Sequence, residues 1–144
     1  MSRPNCKPTI YTLKKENHFV TKIGTNTTEE MVNVVFIRAK TMLTPNENKK
    51  TYKEEILSLK EDFETFANDY IQSCSEYENN YIFTMSIAEE SVKFHKTSHL
   101  HYDLFVKSKE KHTMEEHKVK LEKISDVFEN KLIHLFKKYK LKWF

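Results

Sequence analysis

The run TYKEEILSLKEDFETFANDYIQSCSEYENNYIFTMSIAEESVKFH, residues 51–95, decides how this chain reads. Its apolar and aromatic positions are Ile56, Leu59, Phe63, Phe66, Tyr70, Cys74, Tyr77, Tyr81, Met85, Ala88 and Val92, with His95 closing the series. They recur in steps of three and four residues, about 3.5 on average, between the coiled-coil period and that of a straight helix. Sustained over that length, the stripe predicts a second helix running from residue 51 to about 110, with partner helices to cover it. An aromatic stripe fits a bundle of several helices better than a tight two-stranded seam. Lys96-Thr97-Ser98-His99 is polar and low in helix propensity, a candidate kink within that helix.

The flanks read the same way. The chain has one glycine, Gly24, and three prolines, Pro4, Pro8 and Pro45, so nothing from Asn46 to Phe144 is a helix breaker. Turns draw on Gly and Pro for their special backbone angles, and this scarcity argues against a strand-rich fold. It also excludes glycine-dependent phosphate loops and oxyanion elbows. Thr27 to Glu30, Thr51 to Glu54 and Thr113 to Glu116 each spell T-x-x-E, the capping box that opens a helix. The first helix is expected at about 28–43, with Met31, Val34, Val35, Ile37, Ala39, Met42 and Leu43 apolar around much of its circumference. A loop follows at 44–50, around Pro45. The third helix is expected at about 113–140, striped by His117, Leu121, Ile124, Phe128, Leu132, Leu135 and Tyr139. Ahead of all this, residues 1–25 form a short irregular or hairpin-like arm. The expected fold class is therefore all-α: an N-terminal arm (1–25) and a region of long helices (26–144) forming a coiled coil or elongated helical bundle.

The chemistry is sparse. Lys and Arg number 24 against 21 Asp and Glu, a net charge of +3 that does not by itself point to nucleic acid. Cys6 and Cys74 do not make a disulfide framework, and Cys74 falls on the apolar stripe as an inert thiol. His95 and His99 have the spacing of a metal pair on a helical face, yet a structural zinc site needs four ligands. They read as solvated or interfacial residues, and no metal or cofactor is expected. The acidic pairs Glu54-Glu55, Glu89-Glu90 and Glu115-Glu116 are adjacent and diverge on a helix, so no catalytic residues are assigned and no enzyme is expected. With no leader or spanning run in view, the sequon at Asn26 reads as chance and the setting as cytoplasmic. The residues expected at a partner interface are Leu59, Phe63, Phe66, Tyr70, Tyr77, Tyr81, Leu121, Ile124, Phe128 and Leu135. The basic aromatic end, Lys137, Lys138, Lys140, Lys142 and Trp143, is the candidate contact to an anionic surface, a peripheral membrane or phosphate.

Two segments resemble a known family. The first runs from Glu30-Met31 to Asn48 and includes Lys40-Thr41-Met42-Leu43. The second comprises Tyr102 to Lys107, then Glu115-Glu116-His117-Lys118, Leu121 to Ile124 and Phe128. Together they resemble the muted subunit (subunit five) of the biogenesis of lysosome-related organelles complex. Residues 1–25 depart from that family's pattern of charged and aromatic residues before the first long helix. The resemblance implies an elongated assembly of eight small helical subunits acting in endosomal trafficking, and it carries over no catalytic residue. The functional expectation is a non-enzymatic coiled-coil scaffold subunit, an oligomer built by helix packing with other helical subunits, with nucleic acid an unlikely partner. The alternatives are a subunit of a cytoskeletal, kinetochore or meiotic complex, or a free-standing helical protein, of viral or other origin, that binds nucleic acid or a host factor.

Overall fold

A computed structural model describes residues 9–14, 20–44, 53–92 and 95–143; at 14, 20, 44, 53, 89–92, 95–97, 142 and 143 it describes the backbone alone. The elements are β1 (Ile10–Lys14), β2 (Val20–Thr25), β3 (Met31–Thr44), α1 (Lys53–Ser73), β4 (Ile82–Val92), β5 (His95–Thr113), α2 (Met114–Lys138) and β6 (Lys142–Trp143). The strands make one antiparallel sheet in the order β1-β2-β3-β5-β4. β6 pairs with Leu43 and Thr44 of β3. The all-α, coiled-coil expectation is overturned: both helices pack on one face of a sheet.

Each departure has a physical cause. The expected first helix at 28–43 is β3. Val32, Val34, Val35 and Ile37 are β-branched and fit a pleated surface. Val35, Ile37, Ala39, Thr41 and Leu43 alternate into the core, while Arg38 and Lys40 point away. The expected second helix at 51–110 is α1 only as far as Ser73. Tyr77 and Tyr81 prolong the stripe at intervals of four beyond the end of the helix without belonging to a named strand, and Met85, four further on, is buried in β4. β5 alternates throughout: Leu100, Tyr102, Leu104 and Val106 are buried, and His99, His101, Asp103 and Phe105 face the other side. Val92 pairs with His95, so β4 and β5 are antiparallel neighbours that follow one another in the chain. The expected arm at 1–25 contributes β1 and β2, which pair as a hairpin. Thr51 of the second capping box and the loop 45–50 lie outside the described residues.

The third helix lies where it was expected. Thr113 caps α2, accepting a hydrogen bond from the Glu116 backbone N–H at 3.3 Å. Its far end closes with Leu141 N–H donating to the Phe136 carbonyl at 2.8 Å and Lys140 N–H to that of Lys137 at 3.2 Å. This is the reverse-turn cap that normally places glycine in the left-handed region, yet here Lys140 occupies it with φ of 54°.

The core between helices and sheet is aromatic. Phe63 of α1 meets Tyr102 of β5 at 5.3 Å and Phe128 of α2 at 5.5 Å, both edge to face. Phe66, Tyr70 and Phe83 close around Phe128 at 5.7, 5.7 and 6.4 Å. Edge-to-face pairs put a ring's positive edge on its neighbour's negative face, adding about 0.5–1.5 kcal/mol to area burial. The stripe residues are therefore consumed internally. Leu59, Phe63, Leu121 and Phe128 are fully buried within the chain, as are Tyr77, Ile124 and Leu135 to within 3%. Phe66, Tyr70 and Tyr81 are partly buried against the same core. None of these ten needs a partner helix to cover it.

Candidate functional site

Residues paired across antiparallel strands project to the same face, so the register describes the side of the sheet away from the helices. One row reads Ile10, Gly24, Phe36, Phe105, Ile82 across β1, β2, β3, β5 and β4. The next reads Thr12, Lys22, Arg38, Asp103, Thr84. Then come Lys40, His101, Ser86, and finally Met42, His99, Ala88. Among the described residues no helix packs against this side. Lys22, Arg38, Lys40, Ser86, Ala88, His99 and His101 surround a depression of about 760 Å³. That volume is in the range of small-ligand sites.

The lining is rich in hydrogen-bond donors. Lys22 and Lys40 are exposed, and among the described residues neither has a carboxylate partner. Arg38 Nε donates to Asp103 Oδ1 at 2.8 Å. The Arg38 side chain remains half exposed, so it keeps further N–H groups for a ligand. Ser86 Oγ lies 2.8 Å from His101 Nδ1. Among the described residues the depression is thus lined by three permanent cations and two imidazoles, and the Asp103 carboxylate beside it is committed to Arg38.

Ser86, His101 and Asp103 do not make a nucleophilic triad. His101 Nε2 is 3.9 Å from Asp103 Oδ2, too far for the hydrogen bond that orients a general base. A cation is also disfavoured here by Lys22, Arg38 and Lys40. Among the described residues, no group of three or more His, Cys, Asp and Glu could hold a metal ion. His95 and His99 lie on β5 rather than on a helical turn, and the His95 side chain is outside the described residues.

At the apolar end the Phe36 and Phe105 rings lie 5.5 Å apart, tilted by 41°. Gly24 makes this seat. A Cβ there would stand 2.9 Å from Phe36 Cζ and 2.5 Å from the Thr9 carbonyl oxygen, so only glycine lets the ring settle onto β2. Arg38 lies over the same ring at 5.7 Å. Phe36 is consequently 6% exposed and acts as a rigid backing, whereas Phe105 keeps part of its ring open.

The basic end of the chain is arranged differently from its expected role. Lys138 Nζ donates to Asp62 Oδ2 at 3.1 Å, and Tyr139 Oη donates to the same oxygen at 2.5 Å. The Tyr139 hydrogen bond, then that of Lys138, holds the Asp62 carboxyl below its ordinary range. Lys138 thereby ties α2 to α1. Lys137 and Lys140 are exposed on the helix side, and the side chains of Lys142 and Trp143 are outside the described residues. Cys74 follows α1, half buried, and burial pushes its thiol up, away from reactivity. Cys6 lies outside the described residues. Among the described residues no helix is long and apolar enough to cross a membrane.

Of the site residues, sequence reasoning singled out only His99, as half of a metal pair with His95; it did not mark Lys22, Arg38, Lys40, Ser86 or His101 as site residues. The available signal was the alternation of polar and apolar residues from His99 to Lys107, a period of two broken only by Phe105. Fold and site together define a two-layer α/β protein with its helices on one side and a basic sheet face on the other. No protein-family model, curated protein or solved structure matches the chain.

Proposed function

We propose that this chain is a non-enzymatic binding protein that holds a polyanionic ligand on the open face of its sheet. The observation that carries the reading is the convergence of Lys22, Arg38, Lys40, His99, His101 and Ser86 on one depression that no carboxylate lines among the described residues, with the neighbouring Asp103 paired to Arg38. Convergent donors on a rigid sheet bind anionic oxygens without reorganisation, and cations at a rim steer such ligands towards them. The partner-helix reading loses its support, because the stripe that called for a partner is the chain's own core.

The test is titration of the protein with inorganic polyphosphate at low and physiological salt. Lys22 and Lys40 are exposed, so the Lys22→Glu, Lys40→Glu double variant should fold normally. It should bind at least about tenfold more weakly, since it replaces two attractions with two repulsions. Equal binding by the double variant would remove the sheet face from consideration.

A further inference from the structure

We infer that the polyanion is a single-stranded nucleic acid, its phosphates over Lys22, Arg38 and Lys40 and a base against Phe105 and Ile82. This rests on the polyanion reading and adds the ligand's class. The argument is the order of the rows. The apolar row, with Phe36 opposite Phe105, adjoins the row containing Lys22 and Arg38, and Lys40 follows in the next. Successive rows on one face are two residues apart along each strand, about 6.6–6.8 Å. A ligand matching this face presents a flat apolar group and, one and two such steps away, anionic groups. A nucleotide chain does so, with every base offering a face for stacking and every linkage a charge.

Phe105 is the stacking surface because Phe36, fixed between Gly24 and Arg38, keeps it from tilting away. Ile82, 61% exposed beside it, extends the apolar platform. A duplex fits poorly. Its bases are stacked inside, and its grooves admit a helix or a two-stranded ribbon rather than the breadth of a five-strand sheet. An acidic peptide fits less well too, since extended peptides gain affinity by adding to a sheet edge, whereas this face offers side chains only. A net charge of +3 understates the site, because the cations that matter share one face.

The experiment measures fluorescence anisotropy of labelled oligouridylate and oligothymidylate, about 12 nucleotides long, beside a duplex of equal length and inorganic polyphosphate. Single strands should bind more tightly than either, with log K falling against log salt at a slope near −2 for three phosphate contacts. Phe105→Ala should weaken single-strand binding roughly tenfold, the loss of one stacked base, and leave polyphosphate binding unchanged. Lys22→Glu with Lys40→Glu should weaken both. Circular dichroism checks that each variant folds, and Phe105→Leu, which keeps the apolar cover over Phe36, replaces Phe105→Ala if that variant does not. Polyphosphate binding with no preference for single strands and no effect of Phe105→Ala overturns the nucleic-acid inference and leaves the polyanion reading standing. Equal binding of the duplex, or tighter binding of a polyglutamate peptide, also overturns the inference. Failure of the wild-type chain to bind any of these probes overturns both.

Discussion

His117 shows how much one buried side chain can reveal. It is 1% exposed, with Nε2 2.6 Å from the Val32 carbonyl oxygen. A carbonyl only accepts, so Nε2 carries the proton and donates it. Nδ1 is then a buried acceptor with no partner among the described residues. Burial, ahead of its other surroundings, holds the imidazole below its ordinary pKa. The His112 ring at 5.4 Å and Lys120 oppose a positive charge there, and Glu116 favours one. In the unfolded chain the same imidazole titrates near 6.5. Above that pH both states hold it neutral and its contribution to stability is complete. As pH falls through that value towards the lower folded pKa, the unfolded state takes up the proton first and stability is lost. Urea unfolding at about pH 8 and about pH 5.5 should therefore show a lower midpoint in acid, more so for wild type than for His117→Gln. Equal pH dependence in the two proteins would exonerate His117. Its helical spacing with Leu121 and Ile124 already put it on the buried face of α2, but no sequence pattern revealed its contact with β3, which lies far away along the chain.

Helix α2 is the element whose ends make opposite predictions. Thr113 satisfies a backbone N–H that would otherwise lack an intrahelical acceptor, so Thr113→Ala should lower stability by about 1 kcal/mol. Lys140 holds a left-handed conformation that costs a side chain what glycine does not pay, so Lys140→Gly should raise stability by about 1 kcal/mol. Thermal unfolding of the two variants checks both signs, and a shift of both in one direction would refute the assignment of the caps. This helix was readable because capping box, three-and-four stripe and basic last turn all agree. α1 was readable to Ser73 from its stripe and its acidic first turn, Glu54 and Glu55. β3 was not, because valines and isoleucine on both faces of a central strand resemble an all-round apolar helix. β4 was not, because Met85 falls four residues after Tyr81 and so prolongs the helical stripe, although Tyr77 and Tyr81 lie outside the strand. The scarcity of glycine misled as well: the one glycine serves close packing against Phe36, and the capping turn of α2 is made by a lysine.

At the scale of the molecule, β3 and β5 share the longest ladder and carry most of the buried sheet residues. Hydrogen exchange should be slowest for the amides of Val35 to Ala39 and Tyr102 to Val106 and fastest in β1, which borders the sheet with one neighbour only. Protection in β1 equal to that in β3 would contradict the strand order. The binding face was out of reach of sequence reasoning for a topological reason. Lys22, Arg38 and Lys40 come from β2 and β3, and His99 and His101 from a strand beyond α1 and β4. Only the cross-strand register brings them onto one surface.

That register also dictates how the chain must find its shape. β1, β2 and β3 follow one another as a meander, and β4 and β5 as a hairpin, so each group can assemble from neighbours. The seam between them joins residues no nearer along the chain than Leu43 and Ser98. Closing so wide a span spends chain entropy before any contact across it repays the loss. Folding should therefore wait on the meeting of two preformed halves, at the slow end of the range for a domain this small, and until they meet the apolar faces of β3 and β5, Val35, Ile37, Leu104 and Val106 among them, stay open to water.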